Sequence, residues 1–429
     1  MDKITAYIID FLACFPVSQT NIIHYGQIKE KASETKIVII PAFTEFEMTF
    51  LPEVPFKLID NTPILYGDSR VEKQNNIVII YADIIASSFF LLSRYEELLK
   101  PRRRDKHGRF CAKDSIVFQQ GYGDKPLVDE YGMLLRKWLR EAGITIPIEK
   151  SGFSKIYLTH DVDTPFHFER FATVCKQYVK NLFHYQYSGS PLKKYLNEKY
   201  DEFYTFPKII DYDNTIKKLM PEIPIEVIYF LITSGSFFNR KYYNFFSEKI
   251  TRLINMLSLS GANFGLHLSY EAGLKPVKIL SDAKRFNGRL KSKQIISRHH
   301  YLSWREPEDV VYMEQAGITD DFTLTYADCP GFRVGTCRPY RFINPKTKEL
   351  TNIIIHPLEI MECSLSHQEY LNLDYEKALL KSKNIINQVH KHNGELVILW
   401  HNTEFCDQNY QEKLYKTVLE DINVKRINH

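Results

Sequence analysis

Short runs of β-branched and aromatic residues recur along the chain, and between them apolar residues return at helical spacing. Near the start, the runs over 36–40 and 77–81 predict strands, and Asp83 stands where it would cap a helix running to about residue 99. Leu127, Tyr131, Leu134, Leu135, Trp138 and Leu139 share one helical face, and Gly143 follows where a helix C-terminus takes a left-handed residue. From residue 155 the alternation becomes regular. It predicts strands over 156–159, 226–232, 263–267, 294–299, 322–326, 352–355 and 396–400, and helices over 246–257, 277–290, 307–316 and 376–391. Strands and helices in this order imply βα units around a parallel sheet or a nearly closed barrel. The pattern changes at 146–154, where Ile146, Pro147 and Ile148 give way to polar residues and Gly152. The expected organisation is a smaller α/β domain over 1–150 and a larger α/β unit over 151–429.

A length of 429 residues calls for two domains or one large barrel. With 44% hydrophobic and 25% charged residues the chain has a real core, which excludes collagen-like, disordered and disulfide-scaffold classes. The 56 basic and 52 acidic side chains leave only +4, so neither nucleic acid nor a membrane surface is the expected main partner. The longest apolar runs, 77–81 and 84–92, fall well short of the roughly 18 residues a membrane span needs. Asp10 interrupts the apolar run over 7–15, and no secretory basic region and cleavage site accompany it, so the cytoplasm is the expected compartment. The seven cysteines, Cys14, Cys111, Cys175, Cys329, Cys337, Cys363 and Cys406, are scattered and form no C-x-x-C pair; they read as reduced core thiols and not as zinc ligands. The basic stretch over 100–109 reads as a solvated loop with no assigned chemistry.

In a barrel built from βα units, reactive groups gather at the C-terminal ends of the strands. Four predicted strand ends carry such groups here: His160-Asp161-Val162-Asp163, His267, Arg298-His299-His300-Tyr301, and His401. Asp161 and Asp163 project to one side if their strand continues, and their charges repel unless a cation or an arginine lies between them. Carboxylate and imidazole donors suit a divalent metal such as Zn²⁺, which lowers the pKa of a bound water to about 7. A nearby arginine can hold a second carboxylate ionised as a base.

In type and order, Thr159-His-Asp-Val-Asp163, Gly265-Leu-His267, Arg298-His-His-Tyr301 and Leu399-Trp-His401 resemble the motifs of the polysaccharide deacetylases of carbohydrate esterase family 4. The resemblance runs from about residue 155 to the C-terminus. It implies a distorted, incomplete (β/α) barrel and metal-dependent removal of an acetyl group, N-linked or O-linked, from an amino sugar or glycan precursor. Three further stretches, Ser93-Arg-Tyr-Glu-Glu97, Asp105-Lys-His-Gly-Arg-Phe110 and Tyr326-Ala-Asp-Cys-Pro-Gly-Phe-Arg-Val-Gly-Thr-Cys337, are similar to a bacterial subgroup in which an uncharacterised N-terminal domain precedes the barrel.

By this resemblance Asp161 corresponds to the general base, Asp163 and His267 to metal ligands, Arg298 to the partner of the base, Tyr301 to a backbone oxyanion donor and His401 to the general acid. The sequence departs from the pattern twice. Glu271 stands where a second metal-binding histidine is expected, which leaves Glu271 or His300 as the third ligand, with His300 preferred. Asn402 replaces the aspartate that usually follows the acid, so the carboxylate orienting His401 is open among Asp320, Asp321 and Asp328. The metal implied is Zn²⁺, and the partner implied is a carbohydrate. The departures motivate a competing expectation, an inactive carbohydrate-binding or scaffolding protein on the same fold. A barrel phosphodiesterase or sugar isomerase is a third, disfavoured because no further cluster suggests a second metal.

Overall fold

Two sheets organise the chain in the computed structural model, which describes residues 1–44, 46–74, 76–183, 190–234, 243–406 and 409–427. The first is four-stranded, with the order β1 (Ile23–Tyr25), β2 (Ile37–Ile39), β6 (Ile77–Ala82) and β5 (Gly67–Gln74). Its strands are parallel except β5. A separate hairpin joins β3 (Lys57–Ile59) to β4 (Thr62–Ile64).

Asp83 caps the helix Ile84–Leu92 by accepting from the Ala86 N–H at 2.8 Å. The helix expected to continue to 99 is broken there. Arg94 takes a left-handed conformation (φ 59°), and a second helix, Tyr95–Leu99, starts after it. The break turns the Arg94 guanidinium onto Glu97 and the Trp304 carbonyl. The helix Leu127–Glu141 and the positive φ of Gly143 (80°) agree with the periodicity. A helix over Lys3–Ala13, capped by Asp2, lies outside the predicted set; it buries Ile4, Ile8, Ile9 and Leu12 on one face.

The second sheet has nine strands in the order β12-β13-β11-β10-β9-β8-β7-β15-β14 and curls into a half-barrel. Its members are β7 (Lys155–Val162), β8 (Ile225–Ile232), β9 (Asn263–Leu268), β10 (Ile295–His299), β11 (Ile318–Asp321), β12 (Tyr340–Asn344), β13 (Glu349–Ile355), β14 (Ile360–Met361) and β15 (Glu395–Leu399). Every pairing is parallel except β12 with β13. Six of the seven predicted strands coincide with observed ones, and the seventh, over 322–326, is corrected to β11. The reason is local: the Asp321 carboxylate accepts from the Thr323 N–H and hydroxyl and from Ser297, and this side-chain turn ends the strand. The edge strands β12 and β14 and the long helices Phe206–Leu219 and Gln411–Ile427 are additions to the predicted set.

One apolar cluster runs through both sheets, including Leu12, Phe89 and Trp138 together with Leu158, Leu266 and Trp400. All seven cysteines are free thiols; Cys111 and Cys337 are buried, whereas Cys14 and Cys175 are exposed and so are not core residues. No helix among the described residues is long and apolar enough to cross a membrane.

Across the seam Glu97 lies buried between two guanidiniums, Arg94 at 2.6 Å and Arg333 at 2.7 Å. Burial alone would raise its pKa, but Arg333 and Arg94 outweigh burial and hold it down at about 2. Removing the carboxylate leaves two buried cations facing each other. Glu97→Ala is therefore expected to lower unfolding stability by about 3–5 kcal/mol in urea titrations, whereas Glu369→Ala, at an exposed ion pair, should leave the urea midpoint essentially unchanged.

Candidate metal centre and active site

β7 runs through Val162, and its pleat sorts the motif. Asp161 and Asp163 face the barrel interior. His160 turns to the helix layer, where its Nε2 meets Asp213 at 3.1 Å and its Nδ1 meets the Trp400 carbonyl at 2.9 Å. It is a satisfied structural histidine.

On β9, His267 is paired in register with Arg298 of β10. Its Nδ1 lies 3.0 Å from the Arg298 carbonyl oxygen, which fixes a proton on Nδ1 and turns Nε2 into the site. That Nε2 is 3.2 Å from Asp163 Oδ1, yet both atoms are buried and neither makes a hydrogen bond. Asp163 Oδ2 is 3.1 Å from His300 Nε2. The ligand atoms of Asp163, His267 and His300 lie within 4.8 Å of one another. Two orphaned buried atoms inside a carboxylate and imidazole set are what a divalent cation would satisfy, so the residues fit a metal. The field agrees: burial disfavours charge on His267, but Asp161 and Asp163 raise its pKa above the ordinary imidazole value. The same field attracts a cation.

Glu271 is placed elsewhere. The chain turns at Ser269, whose hydroxyl caps the helix Tyr270–Leu274, and Glu271 within that helix is not among the converging ligand atoms. Of the two alternatives for the third position, the geometry brings His300 to Asp163 and His267.

Asp161 is buried beside this set. Its Oδ1 accepts from Arg298 Nη1 at 2.8 Å, while Oδ2 faces His267 Nε2 at 3.5 Å and His401 Nε2 at 4.0 Å. Desolvation raises its pKa, but His267, Arg298 and His401 together bring it below the usual carboxylate value, so it is ionised across the working range. Arg298 is itself fully buried. It also donates to the Thr159 hydroxyl and the Phe322 carbonyl, and it lies over the Phe230 ring at 4.3 Å. Gly265 makes this possible, because a Cβ there would meet Phe230 at 2.3 Å.

His401 follows β15, and its orienting carboxylate is none of the three aspartates expected. Asp320 pairs with His356, Asp321 forms the turn described above, and Asp328 accepts from the Ala112 N–H. The partner is Glu362, fully buried, which accepts from the His401 N–H at 3.0 Å and lies 2.5 Å from its Nδ1. The parallel pairing of β14 with β15 ends at Met361 and Leu399, and the segments that leave the two strands, Glu362 and Trp400-His401, run out of the sheet together. Burial opposes charge on His401, but the Glu362 carboxylate, with Cys363 beside it, raises the pKa well above the ordinary imidazole range. Asn402 is structural, donating to the Thr164 and Phe203 carbonyls.

Tyr301 and Leu302 both have positive φ (58° and 53°), a strained path at the mouth of β10. It is held from the N-terminal half. Arg109, buried and paired with Asp105 at 2.7 Å, donates to the Tyr301 carbonyl at 2.8 Å and to the Tyr370 hydroxyl at 3.2 Å. The His107 ring lies 4.9 Å from that of Tyr301. The basic stretch over 100–109 is thus corrected in its second half, where His107 and Arg109 pack against the site; Pro101, Arg102, Arg103 and Lys106 are exposed, as in a solvated loop. Its signal in the sequence was Asp105 four residues before Arg109, a pair that folds the loop on itself. Asp161, Asp163, His300, Tyr301 and His401 open onto a cavity of 1390 Å³ that also receives Phe203, Tyr204 and Phe405.

A protein-family model described as a family of unknown function (DUF7033) matches residues 9–143. No curated protein sequence matches the chain. Among solved structures, the crystal structure of a candidate polysaccharide deacetylase from Mycobacterium smegmatis is similar at 12% identity and a TM-score of 0.38, over 65% of this chain and 86% of that one.

His267→Ala and His300→Ala are each expected to lower zinc content, measured by elemental analysis after dialysis against limiting zinc, by about one equivalent relative to the unaltered chain. Glu271→Ala should retain it. Loss of metal in Glu271→Ala with retention in His300→Ala would reverse the choice of third ligand.

Proposed function

We propose that the chain is a metal-dependent hydrolase that removes an acetyl group, N-linked or O-linked, from an amino sugar or glycan precursor. The observation that carries this reading is one of opposed environments. Beside the Asp163, His267 and His300 donors stand a carboxylate kept ionised, Asp161, and an imidazole kept protonated, His401. Their Oδ2 and Nε2 atoms are 4.0 Å apart across the site. Two titratable groups driven in opposite directions supply a base and an acid at one pH. The motif resemblance narrows the reaction to acetyl transfer to water, and the aromatic walls of the cavity suit sugar rings.

Zn²⁺ suits this donor set and, when bound, would polarise the acetyl carbonyl and make water acidic enough to attack near neutral pH. Asp161 accepts the proton of the attacking water, with Arg298 holding Oδ1 so that Oδ2 presents the lone pair. The Tyr301 N–H donates to the developing oxyanion, and the Arg109 bond to the Tyr301 carbonyl steadies that peptide. His401 delivers its Nε2 proton to the leaving amine or alcohol while Glu362 holds Nδ1. Both sequence departures that motivated an inactive protein have substitutes in this arrangement: His300 for the missing histidine ligand, and Glu362 for the missing aspartate.

A screen of acetylated amino sugars and their activated forms, read as released acetate, tests the reaction. With a turned-over substrate in hand, Asp161→Asn should keep its metal and lose at least about 10²-fold in kcat. Asp163→Asn should lose metal and activity together, with partial rescue by excess zinc. If all these variants lost melting temperature alike and metal content did not sort them, the residues would be an ion-pair network and nothing more.

Glu362→Gln provides a pH test. A raised His401 pKa keeps the acid form present through neutral pH and loses it only above the ordinary imidazole range. Without the carboxylate the alkaline limb of kcat/KM should move to lower pH, and the acid limb, set by Asp161, should stay.

A further inference from the structure

Beyond the proposed catalytic centre, three more donors converge on the opposite side of the His401 ring. Cys363 and His367 lie four residues apart on the short helix Glu362–Ser366 and its C-cap, a spacing that brings two side chains onto one face. Glu404 arrives from the 3₁₀ turn Asn402–Phe405 that follows β15. The ligand atoms of Cys363, His367 and Glu404 lie within 4.8 Å of one another, and His367 Nε2 is 3.8 Å from Glu404 Oε1. All three residues line the cavity, so water can complete a shell. Asn409 donates to the other Glu404 oxygen at 3.0 Å, which orients the carboxylate. Among the described residues no lysine or arginine pairs with Glu404.

We infer that Cys363, His367 and Glu404 form a second, thiolate-containing metal site that takes a borderline-soft divalent cation such as Zn²⁺. A thiolate, an imidazole and a carboxylate are a set of this kind, and three protein donors plus water give four-coordination. Bond lengths near 2.0–2.3 Å put tetrahedral ligand atoms about 3.3–3.6 Å apart, so the observed spacing closes by a shift of about 1.5 Å or less. His367, about half exposed, can make that shift by rotating its side chain. Binding releases the Cys363 proton to solvent and leaves the thiolate on the metal. This site differs in chemistry from the Asp163, His267 and His300 centre, which has no sulfur. Cys363 Sγ lies 3.7 Å from His401 Nδ1, and His401 Nε2 lies 3.7 Å from Asp163 Oδ2, so one imidazole ring separates the two sites.

The difference in donors supplies the test. The full chain, stripped with a chelator and titrated with Co²⁺ under anaerobic conditions, should bind two equivalents and develop a near-ultraviolet thiolate-to-cobalt charge-transfer band with one of them. Cys363→Ser should abolish the band and reduce binding to one equivalent, and His367→Ala should weaken that same step at least 10-fold. His267→Ala should lose the other equivalent and keep the band. These readouts use the metal alone, so they are independent of whether the chain hydrolyses anything; failure of the first centre appears in the His267 arm and failure of this one in the band. One equivalent without a charge-transfer band in the unaltered chain, or a band that survives Cys363→Ser, would overturn the inference, and the unaltered chain decides the matter even if a variant does not fold.

Discussion

A fully buried guanidinium at the centre of the half-barrel sets the terms for everything around it. Arg298 has no access to water, and a cation in that position is tolerated only with close anionic and carbonyl partners. Thr159 and Asp161 of β7 and the carbonyl of Phe322 after β11 supply them, so one side chain ties three strands of the sheet together. Its apolar face rests on Phe230 of β8, which in turn needs the missing side chain of Gly265 on β9. Ion pairs this deep add little net stability compared with apolar packing. Their consequence here is orientation: with Oδ1 of Asp161 committed to Arg298, Oδ2 is turned to the cavity.

From that fixed point the remaining charges follow a simple order. Asp163 stands two residues further on, just past the end of β7, and places a second carboxylate near the first, which favours a cation between them. His267, His300 and His401 gather around Asp163 at 3.2, 3.1 and 3.7 Å. They differ in what holds their far sides. A backbone carbonyl behind His267 orients its Nε2 toward the metal position, whereas a buried carboxylate behind His401 keeps it protonated. The same residue type thus serves opposite purposes according to the second atom it touches.

The N-terminal half takes part in the site through the loop carrying Asp105, His107 and Arg109. Its ion pair with Asp105 makes Arg109 a rigid strut, and the strut fixes the strained backbone at Tyr301 and Leu302. The Glu97 cluster with Arg94 and Arg333 anchors the segment that leads into this loop. The match to a family of unknown function over 9–143 therefore covers residues that brace one wall of the cavity from a distance, and one of them, Arg109, lines it.

Much of this was legible in the linear order of residues. Alternation along 156–163 already puts Asp161 and Asp163 on one face, because the period of a strand is a local property of the backbone. The amphipathic faces of Leu127–Glu141 and Tyr375–Lys391 were readable for the same reason, as was the convergence of four strand ends once a parallel sheet was assumed. Three things were not. The strand predicted over 322–326 yields to Ile318–Asp321 because a side-chain turn at Asp321 outbids β-propensity. Glu362 as the partner of His401 depends on a two-residue strand too short to show any period. The arrival of Arg109 at Tyr301 from 192 residues away depends on how separate elements pack. Local pattern specifies which side of an element a residue occupies; which residue from another element meets it there is decided only when the chain closes on itself.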